Sequence, residues 1–233
     1  QKSASGPVLQ QVGRTCVRYR GRQLIYFGGC DYFRLASHPQ ILRAARTALR
    51  EFGLNVAASR HTTGNHWIYG KLKNALSKFF AAPTAILAPN GYSTNLAVAQ
   101  SLRERFSHAL IDQYAHPSLQ DASVALGRPV HTFAHRNPDD LRRVLKARGK
   151  AARSLVLTDG MFSHTGATAP VEAYLSLLPE NGLLLVDDSH AAGTLGAKGR
   201  GSVEGLGFDR IIQTITLSKA FGVFGGAILC ARE

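Results

Sequence analysis

Short apolar runs that alternate with helical patterns constrain the fold of this chain more than any other feature of its sequence. Seven runs are typical of buried strands: 84–88, 109–112, 130–134, 154–158, 183–187, 211–215 and 227–230. Apolar residues at helical spacing lie between most of these runs, as in 71–80 and 138–146. Strands that alternate with helices form mostly parallel sheets with helices on their faces. The sequence therefore predicts an α/β fold with a seven-stranded, mostly parallel sheet.

Two of these runs are followed by side chains that can carry chemistry. Asp187 and His190 end or follow the run 183–187, and Lys219 follows the run 211–215. Ligands of open α/β sheets bind at the carboxyl ends of strands, so we expect these groups to share one crevice. A lysine on a polar turn is usually a solvated surface residue, but it can instead condense with a carbonyl cofactor. Pyridoxal 5′-phosphate (PLP) suits the set, because Lys219 can bond its aldehyde carbon, Asp187 can pair with its ring nitrogen and His190 can reach its phenolic oxygen.

The composition limits the classes of protein to consider. The chain has 233 residues, 45% of them hydrophobic, which is enough for one large domain with a sizeable core. Its net charge of +13 indicates either a solvated basic surface or attraction of anions such as phosphate or coenzyme A. The basic residues are dispersed and form no recognised nucleic-acid motif, so we predict no nucleic-acid partner.

Cysteine usage and hydropathy bear on location. Cys16, Cys30 and Cys230 are odd in number and widely spaced, which favours reduced thiols in the cytoplasm. No apolar run is long enough to cross a bilayer, so we predict no membrane partner. We also predict no metal site.

The N-terminal region has its own pattern. Residues 1–24 are polar and basic with little periodicity, and we expect an extended arm that ends in a short strand at 24–27. Ser37 is the expected N-cap of a helix that has Pro39 in its first turn. Apolar residues then recur at helical spacing until Gly53, where we expect the helix to end.

Two segments near the carboxyl end resemble a known enzyme family. Residues 216–225 resemble the lysine signature of the class II PLP enzymes. Residues 187–196, followed by Gly-Arg-Gly at 199–201, are similar to the D-[DE]-[AS]-H-x-x-G-x-x-G…GRG segment of the α-oxoamine synthases. The likeness extends over about residues 25–230, and it implies the large domain of a fold type I PLP enzyme.

The resemblance implies roles for eight residues, which are Gly91, Tyr92, His116, Ser163, Asp187, His190, Thr216 and Lys219. In the family, the histidine of the D-x-x-x-H-x-S-[LI] motif at 112–119 lies flat on the cofactor ring, which assigns that role to His116. Thr216 and the Gly91–Tyr92 backbone are expected to hold the phosphate, and the Ser163 hydroxyl is expected near the cofactor. Lys219, His116 and Asp187 are the expected catalytic residues.

The sequence also departs from the family at several positions. Cys30, Phe33 and Arg34 stand where the family has Asn, Leu and Gly, and His164 and Thr165 replace Met and Asp after Ser163. We therefore expect substrate contacts in the first segment, and the shape of the second loop, to differ from those of relatives.

The resemblance implies a domain division. Residues 1–53 are expected to form an N-terminal arm and first helix, and residues 54–233 the PLP-binding large domain. Family members continue into a small C-terminal domain that supplies an arginine for the carboxylate of the amino acid. We expect that domain to be absent from this chain, and no residue can be assigned the arginine's role.

The function that the resemblance implies is condensation of an amino acid with an acyl-CoA, with decarboxylation, to give an α-amino ketone. Lys219 would serve as the general base. An aminotransferase on the same fold remains an alternative, and so does a truncated homologue without catalytic activity. The family's active site lies at a dimer interface, so we expect a homodimer. The amino acid and the acyl chain stay open.

Overall fold

A seven-stranded sheet runs through the computed structural model, which describes residues 6–149 and 151–231. Three short strands precede this sheet, namely β1 (Gln10–Val12), β2 (Cys16–Tyr19) and β3 (Arg22–Ile25). The strands of the large sheet are β4 (Thr84–Ala88), β5 (His108–Asp112), β6 (Val130–Phe133), β7 (Ser154–Asp159), β8 (Leu183–Asp187), β9 (Ile211–Thr216) and β10 (Gly226–Cys230). The seven predicted strands are confirmed, each to within about one residue at either end.

The sheet is mostly parallel, as predicted. Its strand order is β4-β10-β9-β8-β7-β5-β6, and the five strands from β9 to β6 pair in parallel. Only β10 runs antiparallel, to both β9 and β4. Parallel pairing needs a long crossover, which the intervening helices provide, whereas the short loop 217–225 returns the chain directly from β9 to β10. That loop carries Lys219.

Helices cover both faces of the sheet. Those of the described residues are α1 (Pro39–Phe52), α2 (Trp67–Phe80), α3 (Gly91–Ser101), α4 (Pro117–Ala125), α5 (Pro138–Arg148) and α6 (Val171–Leu177). Each helix among these residues is too short or too polar to cross a membrane. The sequence analysis missed α4, because Ser118, Ala122 and Ser123 on its buried face are small or polar and give little apolar periodicity.

Alternate residues of β7 and β8 point into two separate cores, one on each face of the sheet. Leu155, Leu157 and Leu185 pack with α3 and α4 on one face, in a cluster that includes Val98 and Leu119. Their neighbours along β7 and β8 pack with α5 and α6 on the other face. Strands that are buried on both faces are continuous apolar runs, which explains why β7 and β8 were recognised from the sequence.

The N-terminal region differs from the prediction. β1, β2 and β3 form an antiparallel three-stranded sheet instead of an extended arm, and the first five residues lie outside the described part of the chain. The prediction of Ser37 as N-cap is wrong. Ser37 ends a short 3-10 turn, and His38 caps α1, where its Nδ1 accepts a hydrogen bond from the Gln40 N–H at 3.3 Å.

Strand register brings the polar strand ends together. Asp159, the last residue of β7, pairs with Asp187, the last residue of β8, and Asp187 pairs in turn with Thr214 of β9. Adjacent strands lie about 4.8 Å apart, so side chains at these positions are neighbours. The carboxyl edge of β7, β8 and β9 is therefore polar above an apolar sheet.

This edge leaves no space for a side chain at Gly160. A Cβ at this position would overlap the carboxylate of Asp188, which is fully buried and accepts hydrogen bonds from Ser202 and Gln213. We predict that Gly160→Ala lowers the free energy of unfolding by about 3 kcal/mol or more, since overpacking and broken buried hydrogen bonds add. Urea denaturation, monitored by circular dichroism, measures this change in the free energy of unfolding.

Gly70→Ala is the matched control for this prediction. Gly70 lies inside α2 with open space around its Cβ position. Alanine should therefore stabilise the protein by roughly 0.5–1 kcal/mol. Equal stabilities of the two variants would contradict the close packing at Gly160.

Candidate active site

A cleft of about 270 Å³ lies at the carboxyl ends of the central strands. Seven of the eight predicted site residues line it, namely Gly91, Tyr92, His116, Asp187, His190, Thr216 and Lys219. The eighth, Ser163, lies in an adjoining cavity of about 440 Å³ that shares only His116 and Asp159 with the cleft. Residues from five separate parts of the chain thus meet at one edge of the sheet.

Lys219 lies in a loop that is held by backbone hydrogen bonds. The Lys219 carbonyl accepts from the Gly222 N–H at 3.0 Å, and the Leu217 N–H donates to the Gly225 carbonyl at 2.9 Å. Burial lowers the pKa of the Lys219 amine, an effect that the nearby charge of Asp187 opposes. A lowered pKa makes the neutral, nucleophilic amine more available than it is in a solvated lysine.

Asp187 is a buried carboxylate, 4% exposed, and is held by neutral donors. Its Oδ2 accepts from Asn95 Nδ2 at 2.6 Å, and its Oδ1 accepts from the Ser189 N–H at 2.9 Å. The Asn95 amide donates also to Ser118 Oγ at 3.0 Å and accepts from Thr214 Oγ1 at 2.6 Å. This network fixes the acid in the floor of the cleft.

His116 is the N-cap of α4, and its contacts define its protonation. The Ser118 N–H donates to His116 Nδ1 at 3.2 Å, and a backbone N–H can only donate. Burial lowers the pKa of His116, so the imidazole is neutral near pH 7 with its proton on Nε2. The His116 N–H donates to Asp159 Oδ2 at 2.9 Å, which ties the capping turn to the end of β7.

His190 lies across the cleft and contacts a residue of the N-terminal region. Its Nδ1 is 2.6 Å from the hydroxyl oxygen of Tyr32. Burial, and then the charge of Lys219, lower the pKa of His190 to about 4. This imidazole is therefore also neutral at physiological pH.

The start of α3 provides a place for an anion. The first N–H groups of a helix have no partner within the helix, and those of Gly91 and Tyr92 lie beside the cleft. A Cβ at Gly91 would lie 2.7 Å from Thr216 Cβ, so only glycine allows this approach. The Thr216 and Ser218 hydroxyl oxygens, 2.8 Å apart, add further donors. A phosphate group fits such a set.

Four residues of the site were not assigned a role from the sequence: Tyr32, Asn95, Ser118 and Asp159. Asn95 is the last residue of a segment similar to the family's S-G-[FY]-x-x-N phosphate loop, and Ser118 belongs to the motif at 112–119. Asp159 directly follows the predicted strand 154–158, so a signal existed for these three. Burial, and then the charge of Asp187, raise the pKa of Asp159 to about 8. The described residues contain no group of three or more His, Cys, Asp or Glu side chains that could hold a metal ion.

A family model described as aminotransferase class I and II matches residues 22–233. The chain belongs to this family. It is 34% identical over 223 residues to a putative 8-amino-7-oxononanoate synthase of Desulforudis audaxviator, with 94% of this chain and 58% of the relative covered. It is 38% identical over 212 residues to the 8-amino-7-oxononanoate synthase of Thioalkalivibrio sulfidiphilus, with 89% and 54% covered.

Comparison with solved structures supports the same family assignment. The serine palmitoyltransferase of Sphingomonas wittichii superposes with a TM-score of 0.91 at 27% identity, over 97% of this chain and 58% of that one. A variant serine palmitoyltransferase from S. paucimobilis, solved with a bound PLP–myriocin adduct, gives a TM-score of 0.90 at the same identity and coverage. The predicted fold type I architecture and the resemblance to the α-oxoamine synthases are confirmed. The chain spans little more than half the length of the relatives it matches.

The raised pKa of Asp159 has a consequence for stability. Between its ordinary value of 3.8 and about 8, the folded state keeps a proton that the unfolded state has lost, so stability falls as pH rises. The lowered pKa values of His116 and His190 act in the opposite sense, but only below their ordinary value of 6.5. The interval from pH 6.5 to 8 therefore lies above the contribution of these two histidines, and the comparison with a variant at position 159 separates the effect of Asp159 from that of other groups.

We predict that Asp159→Asn removes this pH dependence while its amide oxygen still accepts from the His116 N–H. From pH 6.5 to 8, the free energy of unfolding of the wild-type protein should fall relative to that of the variant by about 1–2 kcal/mol. Urea titrations at each pH measure the difference. Asp209→Asn, at an exposed position, is the control. Parallel curves for wild type and Asp159→Asn would show that Asp159 is ionised throughout.

Proposed function

We propose that this chain is the PLP-binding part of an α-oxoamine synthase, an acyltransferase that condenses an amino acid with an acyl-CoA. Carbon dioxide and coenzyme A leave, and an α-amino ketone is formed. The observation that carries the proposal is the convergence of an amine, a buried acid and two neutral imidazoles in one cleft. The names of the relatives, 8-amino-7-oxononanoate synthase and serine palmitoyltransferase, support the reaction class.

The residues of the cleft fit PLP group by group. Lys219 Nζ would bond the aldehyde carbon, and Asp187 would pair with the ring nitrogen. The Gly91–Tyr92 N–H groups and the Thr216 hydroxyl would hold the phosphate. The glycine that close packing requires at position 91 keeps this phosphate cradle open.

Three further residues complete the proposed set. His116 would stack on the ring, which restricts its tilt and adds dispersion contact. His190 would donate to the phenolic oxygen. Ser163 lines the adjoining cavity, which shares His116 and Asp159 with the cleft, and its hydroxyl would contact the cofactor from there.

The chemistry divides between the cofactor and the chain. When bound, PLP supplies an electron sink for negative charge that develops at the substrate Cα. Once the substrate amine has replaced it on the aldehyde carbon, Lys219 would be a free amine of lowered pKa and would take the proton from that carbon as general base. Asp187, buried and held by Asn95, would keep a proton on the ring nitrogen.

We predict that Lys219→Ala abolishes covalent attachment of PLP, because no other amine occupies its position in the cleft lining. When PLP is added, the wild-type chain should gain the absorbance band of a Schiff base, at the edge of the visible range. Borohydride reduction followed by mass analysis of peptides should find the PLP label on Lys219. Lys78→Ala, at an exposed position of α2, should behave as wild type. A label on another lysine, or a band retained in Lys219→Ala, would contradict the assignment.

Products distinguish the three functions that the sequence left open. With an amino acid and an acyl-CoA, a synthase releases carbon dioxide and a free coenzyme A thiol. An aminotransferase instead converts a 2-oxo acid to an amino acid and releases neither. A homologue without catalytic activity gives none of these products, even with PLP attached.

We also propose that two copies of the chain associate. The apolar face of α1 contains no buried residue, and Leu49 on that face is 50% exposed. Phe33 and Trp67 are 53% and 52% exposed. Exposed apolar surface of this kind marks protein interfaces, and a second copy is the occupant that the family resemblance suggests.

Sedimentation velocity tests this association. The wild-type chain should sediment with twice the mass of one chain, and Leu49→Glu should shift it towards the monomer, because a charge in an apolar interface loses hydration. Arg50→Glu changes the charge of α1 next to this position and serves as the control. A wild-type chain that stays monomeric at all concentrations would contradict the proposal.

The remaining expectations about organisation and location are proposals of the same kind. We propose that residues 54–233 form the PLP-binding domain and that residues 1–53 pack on it, which the contact of Tyr32 with His190 supports. We propose a cytoplasmic location, supported by the free thiols of Cys16, Cys30 and Cys230. Cell fractionation tests the location.

A further inference from the structure

Tyr32 reaches the cleft from a segment far from it in sequence. This residue lies between β3 and α1, and its hydroxyl oxygen is 2.6 Å from Nδ1 of His190, 158 residues away. The turn is fixed by Asp31, whose Oδ1 accepts from the Leu35 N–H at 2.9 Å. The position of the Tyr32 hydroxyl is therefore set by local structure.

The Tyr32 turn is also packed against the lysine loop. Gly222, three residues after Lys219, lies so close to Leu35 and Ala36 that a Cβ there would overlap their backbone. The turn and the lysine loop thus form one packed unit at the mouth of the cleft. A contact made by Tyr32 is consequently placed relative to Lys219 as well as to His190.

The hydrogen bond at Nδ1 matters because His190 is neutral. Its pKa is lowered to about 4, so the ring carries a single proton on one of two nitrogens. A donor at Nδ1 forces that proton onto Nε2, and an acceptor at Nδ1 has the opposite effect. Burial, and then the neighbouring Cys30, raise the pKa of Tyr32 to about 12, so its hydroxyl keeps its proton and can donate.

We propose that Tyr32 is a positioning residue that donates its hydroxyl proton to Nδ1 of His190 and so holds the His190 proton on Nε2. The second imidazole of the cleft has the same arrangement, since the Ser118 N–H donates to Nδ1 of His116. Both imidazoles then present an N–H on Nε2. The use of this N–H for the phenolic oxygen of PLP rests on the proposed function, but the tautomer is a property of the protein alone.

In the alternative arrangement, the Tyr32 hydroxyl accepts a hydrogen bond from His190 instead of donating one. Cys30 lies near enough to the Tyr32 hydroxyl to contribute to its raised pKa. If Tyr32 donated to the Cys30 sulfur, its oxygen would accept from an N–H on Nδ1 of His190. Nε2 would then be an acceptor, unable to donate to an anionic oxygen. The two arrangements differ in the position of one proton, which can be observed.

Nitrogen NMR of the ligand-free protein, labelled with ¹⁵N-histidine, distinguishes the two tautomers. We expect the wild-type His190 and His116 both to show the pattern of a ring protonated on Nε2. In Tyr32→Phe, which keeps the aromatic ring, His190 should become a mixture of tautomers while His116 is unchanged. A wild-type His190 protonated on Nδ1, or a His190 pattern that Tyr32→Phe leaves unaltered, would overturn the proposal.

Tyr114→Phe is the matched control, because the Tyr114 ring lies 4.9 Å from that of another histidine, His135. The His135 Nδ1 already has a partner in the Asp112 carboxylate, at 2.9 Å. The control should leave the tautomers of His190, His116 and His135 as in the wild-type protein. If Tyr114→Phe also makes His190 a mixture of tautomers, the effect of Tyr32→Phe is not specific to the Tyr32 hydroxyl.

A binding measurement connects the tautomer to the cofactor. Loss of one hydrogen bond to the ligand should weaken the affinity of Tyr32→Phe for PLP roughly ten-fold relative to the wild-type protein. Equal affinities would overturn the positioning role of Tyr32 towards the cofactor. If the wild-type protein fails to bind PLP while its His190 is protonated on Nε2, the proposed function fails and the assignment of the tautomer stands.

Discussion

The hydrogen bond between Asn95 and Asp187 supports the rest of this site. A buried carboxylate is costly unless donors compensate for lost hydration, and Asp187 obtains them from the Asn95 amide and from the Ser189 N–H. The orientation of Asn95 cannot reverse, because Thr214 donates to its oxygen and its amide nitrogen serves both Asp187 and Ser118. Because Ser118 in turn contacts His116, one buried amide positions both the acid and an imidazole of the cleft.

Two acids on neighbouring strand ends are given different roles by their surroundings. Asp159 and Asp187 are paired in register, so ionisation of one opposes ionisation of the other. The charge of Asp187 contributes to the raised pKa of Asp159, and the single N–H that Asp159 accepts from His116 only partly offsets this effect. Of the two acids, Asp159 is therefore the one that its surroundings keep protonated near neutral pH, where it can serve as a proton donor.

Much of the fold and of the site could be predicted from the sequence, because the signals are local. β7 and β8 are continuous apolar runs, and Asp187, Thr216 and Lys219 end or follow strands, where parallel sheets bring ligand groups together. Prediction failed where the local signal was weak or where a contact depends on tertiary packing. α4 buries small polar residues, so its periodicity was weak. Tyr32 reaches His190 only through tertiary packing, and no pattern within residues 1–53 indicates that contact.

The neutrality of the imidazoles explains why distant residues matter to this site. A protonated histidine would donate from both nitrogens and would need no partner to define it, but each cleft imidazole is half-buried and has a lowered pKa. A neutral ring donates from only one nitrogen, and the hydrogen-bond partner of Nδ1 decides which nitrogen that is. For His116 that residue is Ser118, the second residue of α4, and for His190 it is Tyr32, in the N-terminal segment. The N-terminal segment is therefore part of the site's chemistry, because it determines which side of an imidazole faces a ligand.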